Sequence, residues 1–355
     1  MKRPESAVII AAAVIAVLLV GEVIVYGSDT YSCESELVLD EDGYNLVLAT
    51  NFSTEYTVLV TESDANREPR HLSIYRDFQS ASFIEDSYLD YWIEQMVAEF
   101  EVYNFTNYTI LDAEGLRDMM AGSIYNDTAT QTAVVMLTGV LPDTVYGFDE
   151  SNLFQYWLEA GGFVYWSGSP LGMYVGHDRS SDIVYELVTD DPGERFFGIP
   201  GSIRVQTADD LAQEHSSDRY LGEALNVYYD SCNYGVSSEV PDSLFIGYEK
   251  DGYNSIALSR YDGGTGQICI FGGAFPPSDM QTAHSNILKV FFSGLCYDSE
   301  IILLENSEKS AGEITISLGI GADSDARVFV MCGSLLGVYG NTYYTHGVEA
   351  LRRYT

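Results

Sequence analysis

The chain has 355 residues, and 53 Asp and Glu residues against 17 Lys and Arg residues give it a formal net charge of −36. A charge of this size repels nucleic acids and anionic lipid headgroups, so it excludes a nucleic-acid-binding function. A hydrophobic fraction of 46%, with 27 Tyr and 16 Phe residues, is typical of a folded protein and excludes a disordered stalk.

The N-terminal segment predicts a membrane anchor. Residues 7–26 read AVIIAAAVIAVLLVGEVIVY and contain one charge, that of Glu22. Twenty helical residues span about 30 Å, the thickness of the hydrocarbon core of a bilayer. We therefore predict one transmembrane helix after a cytoplasmic tip, residues 1–6, whose Lys2 and Arg3 place the rest of the chain outside the cell membrane. The alternative is a cleaved signal peptide, which exports the same body.

Alternating apolar and polar residues predict strands at both ends of the exported body. In residues 30–66 the segments SELVLDEDGYNLVLAT and STEYTVLVTES carry this alternation, and Asp42-Gly43 supplies a turn signal. In residues 299–355 strands are predicted at 313–320 and 326–340. We expect these two segments to pack together as a small β unit that flanks the rest of the body.

Residues 70–298 alternate apolar strands with amphipathic helices. Strands are predicted at 71–77, 108–113, 133–139 and 163–168, and helices at about 86–100, 116–120 and 151–162. Near-continuous apolar runs such as AVVMLTG are typical of parallel strands that are buried on both faces. The predicted fold class is therefore α/β, with a doubly wound, mostly parallel sheet.

From residue 181 onward, this α/β region is predicted to contain helices at 181–189, 208–225 and 282–294 and strands at 254–261 and 266–273. The Gly-rich sequence GGTGQ, between the two strands, does not open a helix. It therefore predicts a hairpin turn and not a phosphate-binding loop, and no cofactor is expected.

The cysteines and the acidic clusters do not predict a metal site. Five widely spaced cysteines include no CxxC pair, which excludes zinc-ribbon and thioredoxin-type sites. Export permits one or two disulfides, and the odd number leaves at least one thiol. Cys269 and Cys332 lie in apolar runs and are predicted to be buried. Asp40-Glu41-Asp42-Gly43 and Asp323-Ser324-Asp325 lack the spacing of a calcium loop.

Four N-x-[ST] sequons are candidate glycosylation sites, at Asn51, Asn104, Asn107 and Asn126. All four lie within residues 51–128, and none follows. The cluster favours a glycosylated face on an exported body.

Three segments carry a resemblance to a known family: AVVMLTGVLPD, NLFQYWLEAGGFVYWSG and GTGQICIFGG. In order and shape they resemble the class I glutamine amidotransferase-like fold, a flavodoxin-like α/β domain, over residues 71–298. In active members a cysteine nucleophile follows the strand after the Gly-Gly, on a sharp turn. A His, and usually a Glu, follows the late strand.

This chain departs from the family at both catalytic positions. Trp166-Ser167-Gly168-Ser169 occupies the turn without a cysteine, and the stretch from Phe271 to Pro277 reads FGGAFPP, without His or Glu. The resemblance therefore implies a degenerate domain without amidotransferase chemistry, and the sequence favours a protein that is not an enzyme.

A different site remains a hypothesis. Asp77, Asp112 and Asp143 fall at or just after the ends of predicted parallel strands, where ligands gather in open α/β sheets. Asp77, Asp112, Ser167 and His177 are therefore candidate catalytic or ligand-binding residues. The alternative interpretation is that the acids cap helices and turns and that Ser167 is there for its small size.

Tyr165, Trp166 and Tyr174 surround the same turn and suit either a carbohydrate site or a core. We therefore expect a membrane-anchored, non-catalytic binding or assembly module with a protein or glycan partner at the cell surface. The alternative is an extracytoplasmic hydrolase that acts on a sugar or an amide at the carboxyl ends of the parallel strands.

Overall fold

The computed structural model of the chain describes residues 33–62, 71–77, 84–103, 105–149, 152–177, 185–205, 214–227, 234–272, 283–321, 323–324, 326–334 and 337–344. Within these ranges no helix is both long and apolar enough to cross a membrane. The predicted anchor, residues 7–26, lies outside them.

The described ranges contain six α-helices and 22 strands. The helices are α1 (Asp86–Val102), α2 (Ala113–Tyr125), α3 (Leu153–Glu159), α4 (Pro192–Phe197), α5 (Arg219–Ala224) and α6 (Ala283–Ser293). The first eleven strands are β1 (Cys33–Asp40), β2 (Gly43–Thr50), β3 (Thr54–Glu62), β4 (His71–Tyr75), β5 (Tyr108–Leu111), β6 (Thr132–Met136), β7 (Leu141–Pro142), β8 (Phe163–Ser167), β9 (Tyr174–Gly176), β10 (Tyr185–Leu187) and β11 (Ile203–Val205). The others are β12 (Glu214–His215), β13 (Tyr234–Ser237), β14 (Ser243–Phe245), β15 (Tyr248–Lys250), β16 (Tyr253–Asn254), β17 (Ile256–Arg260), β18 (Gln267–Phe271), β19 (Glu300–Lys309), β20 (Gly312–Ser317), β21 (Ala326–Ser334) and β22 (Gly337–Tyr344).

A mixed seven-stranded sheet forms the centre of the protein, in the order β14-β17-β18-β8-β6-β4-β5. The last five strands in that list are parallel, and β17 and β14 extend the sheet antiparallel. Counted along the chain, the parallel strands have the order 2-1-3-4-5, one of the two common orders of doubly wound sheets. The predicted mixed α/β class is confirmed.

Helices cover both faces of this sheet. Every residue of the central strands β8 and β18 is therefore buried. On one face α1 and α6 pack with side chains such as Trp92 and Phe291. On the other face α2 and α3 pack with Leu116 and Trp157. The predicted apolar faces of these helices therefore point into the two cores.

Two further sheets form the β unit. The sheets β1-β2-β20 and β19-β3-β21-β22 enclose a core of their own that includes Leu46, Val58 and Val328. Strand β3 pairs antiparallel with both β19 and β21, and β2 pairs antiparallel with β20. The pairing expected between the N-terminal and C-terminal strand segments is therefore present, although β19 was not predicted.

The β unit is joined to the α/β region by packing as well as by the chain. Leu59 and Phe329 belong to the same core as α1 and α6, and Tyr103 stacks on Phe292 at a centroid distance of 4.1 Å. The end of α6 is held from the β unit, since Thr61 Oγ1 donates to Ser293 O at 3.0 Å and Arg327 donates to Phe291 O at 2.8 Å. The layers are thus the two sheets of the β unit, then α1 and α6, then the central sheet, and then α2 and α3.

Two sequence predictions fail in the region after β8. The helix predicted at 181–189 is wrong, because Tyr185–Leu187 is a strand that pairs with Tyr174–Gly176. The helix predicted at 208–225 is reduced to α5, which follows the short strand β12; residues 206–213 lie outside the described ranges. The five-stranded sheet β11-β13-β16-β15-β12 was not predicted. The hairpin predicted around GGTGQ is confirmed, with β17 and β18 as its strands.

Two buried tyrosine side chains are expected to make the free energy of unfolding decrease at alkaline pH. Burial raises the pKa of Tyr103 above its usual range, and Glu99 raises it further. Burial also raises the pKa of Tyr146, against the opposing effect of Arg195, whose guanidinium lies over the Tyr146 ring. Each phenol therefore contributes stability that is fully present below the unfolded pKa of about 10 and is lost as pH rises toward the folded pKa.

We expect Tyr103→Phe to flatten the fall of stability above pH 10 by up to about 1.4 kcal/mol per pH unit, since one proton fewer is released on unfolding. Guanidinium unfolding at a series of pH values from neutrality upward measures this slope. Tyr220→Phe is the matched control, since Tyr220 is half exposed. An unchanged slope in Tyr103→Phe, equal to that of the control, would contradict the assignment.

Candidate functional site

The carboxyl edge of the central sheet, where the parallel strands end, holds most of the residues singled out in the sequence. Asp77 follows β4, Asp112 follows β5, and Ser167 is the last residue of β8. His177 follows β9, in the small sheet β10-β9-β7. This sheet is built on the chain that leaves β6 and β8 at the same edge, so the four residues share one region of the fold.

Asp77 and Asp112 both cap helix α2. Asp77 Oδ2 accepts a hydrogen bond from the backbone N–H of Ala113 at 2.9 Å, and Asp112 Oδ1 accepts one from Gly115 at 2.7 Å. The first N–H groups of a helix have no partner within the helix, and a carboxylate there is also favoured by the helix dipole. The capping interpretation therefore accounts for both residues.

Ser167 lies inside the protein. Its side chain has no exposed surface, and its hydroxyl has no hydrogen-bond partner in the part of the chain that the structure describes. The turn that follows is pressed against the turn after β6: a Cβ at Gly168 would lie 2.5 Å from the Cα of Gly139, and Ser169 Oγ donates to Gly139 O. Trp166 Nε1 donates to Ser169 O at 2.6 Å and fixes the turn from the other face of the sheet. A nucleophile needs an exposed hydroxyl beside a base, and Ser167 has neither.

His177 lies between two carboxylates. Its Nδ1 is 2.9 Å from Asp143 Oδ2, and its Nε2 is 3.7 Å from Glu186 Oε2. Asp143 directly follows β7, His177 directly follows β9 and Glu186 lies in β10, so the three strands of the small sheet place the three side chains. All three are partly exposed. Among the described residues neither Nε2 of His177 nor the Ser167 hydroxyl has a hydrogen-bond partner, so the two residues are not hydrogen-bonded to each other.

The junction between β4 and β6 is the switch point of the sheet, where doubly wound proteins bind ligands. Arg76 lies there and is buried, with its Nε 2.8 Å from Asp90 and its Nη1 3.4 Å from Asp86, both on α1. Thr144 lies two residues after β7, and its Oγ1 donates to Ala113 O at 2.9 Å. Both Arg76 and Thr144 thus bind other parts of the protein.

The aromatic residues near this edge divide into two groups. Tyr165 and Trp166 are buried core residues, so the carbohydrate interpretation fails for them. Tyr174 is half-buried on the small sheet and makes an edge-to-face contact with Tyr185, with ring centroids 5.6 Å apart. Tyr185 and Leu187 are exposed on the same sheet face. Sequence reasoning missed Tyr185 and Glu186 because it placed them in a helix.

A cleft of about 220 Å³ lies apart from these residues, beside α5. Its lining includes Arg219, Glu223, Asn226 and Tyr248. Arg219 and Glu223 bind each other at 2.6 Å across one turn of α5. None of the four sequence candidates lines this cleft.

The remaining sequence candidates have structural roles. No group of three or more His, Cys, Asp or Glu side chains is placed to hold a metal ion within the described ranges. Asp40 accepts from Asp42 N at 2.8 Å and from Asn45 Nδ2 at 2.6 Å, which closes the β1–β2 hairpin. Cys269 and Cys332 are buried, as predicted. Burial raises the pKa of the Cys269 thiol, and the neighbouring Cys296 raises it further.

Comparison with known proteins adds no relative. No protein-family model matches the chain, and no curated protein sequence matches it either.

We expect Ser167→Ala to raise the free energy of unfolding by about 1 kcal/mol, because it removes a buried hydroxyl that has no hydrogen bond. Ser259→Ala is the matched control: Ser259 is equally buried in the same sheet, and its hydroxyl is 2.8 Å from that of Ser243. The control should lose about 1 kcal/mol. Equal losses in the two variants, measured by guanidinium unfolding, would show that the Ser167 hydroxyl has a stabilising partner.

Proposed function

We propose that this chain is a membrane-anchored, extracytoplasmic, non-catalytic module that binds or assembles at the cell surface, built on a degenerate amidotransferase-like α/β domain. The observation that carries the proposal is that the two groups that catalysis would need make no hydrogen bond to each other. The Ser167 hydroxyl is buried and has no hydrogen-bond partner among the described residues, and Nδ1 of His177 is bound to Asp143 at 2.9 Å. A serine hydrolase needs these groups within hydrogen-bond reach of each other.

The order of the parallel strands supports the choice of fold. The 2-1-3-4-5 order is the flavodoxin-like one, and the family that the sequence resembles has a flavodoxin-like fold. The turn that carries the cysteine in active members is here packed against Gly139, and Ser167 lies beneath it. The domain thus keeps the strand order and uses the position of the nucleophile for packing.

The sequence of the anchor supports the location. Residues 7–26 are long and apolar enough to span a bilayer, and Lys2 and Arg3 precede them. The body carries the full net charge of −36, because residues 1–26 contain two acids and two bases. Its field opposes binding to nucleic acid, and we propose a protein or a glycan as the partner.

The face most suited to such a partner is that of the small sheet β10-β9-β7. It presents the exposed side chains of Tyr185 and Leu187 next to Tyr174, on the sheet that also carries Asp143 and His177 at its strand ends. Partly exposed aromatic rings with polar neighbours suit protein and glycan partners alike.

Membrane fractionation tests the location. We expect the full chain to stay in the membrane fraction after alkaline carbonate washing, with residues 7–26 retained and the body open to protease added outside the cell. A variant without residues 1–26 should leave the membrane fraction. A mature chain that begins after residue 26 would replace the anchor by a cleaved signal peptide.

Labelling with a fluorophosphonate probe tests the absence of catalysis. The probe forms a covalent bond with activated serines, so we expect the wild-type protein and Ser167→Ala to be equally unlabelled. Labelling of the wild type that is lost in Ser167→Ala would favour the hydrolase alternative and sink the non-catalytic proposal.

A further inference from the structure

The sequon Asn126-Asp127-Thr128 forms the end of helix α2. The backbone N–H of Asn126 donates to Gly122 O at 3.0 Å, that of Asp127 to Ile124 O at 3.2 Å, and that of Thr128 to Ser123 O at 2.9 Å. Asp127 has a φ of 56°, in the left-handed region. This is the Schellman pattern of a helix C-terminus, with Asp127 at the position usually taken by glycine. The backbone bonds hold the sequon in one conformation at a helix end.

The side chain of Asn126 is exposed. It lies at the amino edge of the central sheet, because α2 runs from the carboxyl edge back to the start of β6. The ring of Tyr125, the preceding residue, is 89% exposed, the most exposed of the large apolar side chains in the described ranges. An aromatic ring left in water next to an exposed amide is the kind of surface that a sugar covers, since apolar sugar faces pack on aromatic rings.

Asn51 and Asn107 are exposed as well, but their surroundings differ from those of Asn126. His71 engages both functional groups of Asn107-Tyr108-Thr109, with Nδ1 2.9 Å from Asn107 Oδ1 and Nε2 3.0 Å from Thr109 Oγ1. Asn51 follows Thr50, which pairs with Cys33, and only residues 27–32 separate Cys33 from the predicted anchor. Asn104 lies outside the described residues.

We propose that Asn126 carries an N-linked oligosaccharide, so that the amino edge of the central sheet is a glycosylated face. This inference rests on the proposed export of the body. The amide nitrogen of Asn126 forms a bond to the anomeric carbon of an oligosaccharide carried on a lipid phosphate or pyrophosphate. The bond from that carbon to the phosphate oxygen breaks, the lipid phosphate leaves with the bonding electrons, and the amide nitrogen loses one proton to the transferase.

The position of the glycan leaves the proposed binding face free. Asn126 is at the amino edge, whereas Asp77, Asp112 and Ser167 mark the carboxyl edge, to which the small sheet is attached. A bulky, hydrated chain at Asn126 covers the ring of Tyr125 and the end of α2. It keeps that edge from contacts with other proteins and directs partners toward the opposite edge.

Mass spectrometry of the full chain, purified from the membranes of its own host, tests the assignment. We expect the peptide that contains Asn126 to carry added sugar mass in the wild type and in Thr128→Ser, which keeps the sequon. The added mass should be absent in Asn126→Gln and in Thr128→Ala, which remove the amide and the required hydroxyl. The Thr128 variants change little else, because the hydroxyl is 3.4 Å from its acceptor, Ser123 O.

Protease treatment of intact cells separates this proposal from the proposed function. If the body is cleaved from outside but the Asn126 peptide is unmodified, the glycan proposal is overturned and export stands. If the body is protected and the peptide is unmodified, both fail. A modified peptide that persists in Thr128→Ala would show a different modification and would also overturn the glycan assignment.

Discussion

Replacing Arg327 by alanine is expected to lower the free energy of unfolding by about 3–4 kcal/mol. Arg327 is 2% exposed and donates to Phe291 O at 2.8 Å, where helix α6 approaches its end. The last carbonyl groups of a helix lack partners within it and carry the negative end of its dipole, so a cation there is favourable. The variant leaves a buried carbonyl without this charged donor and opens a cavity between α6 and the β unit.

Two further variants make this prediction a graded series. Thr61→Val removes the neighbouring bond to Ser293 O and should cost about 1 kcal/mol. Arg219→Ala removes an exposed arginine whose partner is one helical turn away and should cost about 0.5 kcal/mol or less. Guanidinium unfolding of the detergent-solubilised chain, followed by the fluorescence of its three buried tryptophans, measures all three. A loss in Arg327→Ala no larger than in Arg219→Ala would mean that the junction does not depend on this cap.

The junction bears on function because it couples the β unit to the α/β region. The proposed anchor leads into β1, and β3 and β19 lead into and out of the α/β region. With Tyr103 stacked between Phe292 and Phe329, the two parts share one core. A partner bound at the carboxyl edge would therefore be held in a fixed orientation relative to β1, the strand that follows the proposed anchor in the chain.

The sequence was sufficient to predict those elements whose own run of residues shows a clear apolar pattern. Strands buried on both faces, such as β6 and β8, appear as continuous apolar runs, and the helix α1 shows its apolar face at helical spacing. It failed where distant pairing decides the structure. Tyr185–Leu187 has no strand signal of its own and is a strand because Tyr174–Gly176 pairs with it. Strand β19 depends in the same way on β3, more than 200 residues earlier.

The residues of the candidate site also differ in how far the local sequence predicts their contacts. An acid between a strand and a helix is a sequence-level capping signal, and Asp112 bonds to the third residue of its own helix. Asp77 caps the same helix from another strand, which the sequence places only at the same sheet edge. The carboxylates at His177 come from Asp143 and Glu186, on separate strands of a sheet that was not predicted. Side-chain chemistry could be read from the sequence, whereas the partners of each side chain depended on tertiary pairing.

The turn after β8 gives the second large prediction: Gly168→Ala should lower the free energy of unfolding by about 3 kcal/mol. Gly168 has a φ of +117°, a conformation that L side chains rarely adopt, which costs about 1–3 kcal/mol for alanine. The added methyl group would also lie 2.5 Å from the Cα and 2.8 Å from the N of Gly139, so the turns after β6 and β8 must separate. The measurement is guanidinium unfolding as above, with the fluorescence of Trp166 as a local reporter.

Gly312→Ala is the matched control, since Gly312 has a similar φ of +131° and no described atom within 4 Å of the place that the new methyl group would take. It carries the conformational cost alone, so the difference between the two variants measures the contact between the turns. If the two losses are equal, the turns are not pressed together and room exists above Ser167 for a substrate. A larger loss in Gly168→Ala means that the turn after β8 is closed by backbone packing against Gly139. Catalysis by Ser167 would then require a rearrangement of this sheet edge.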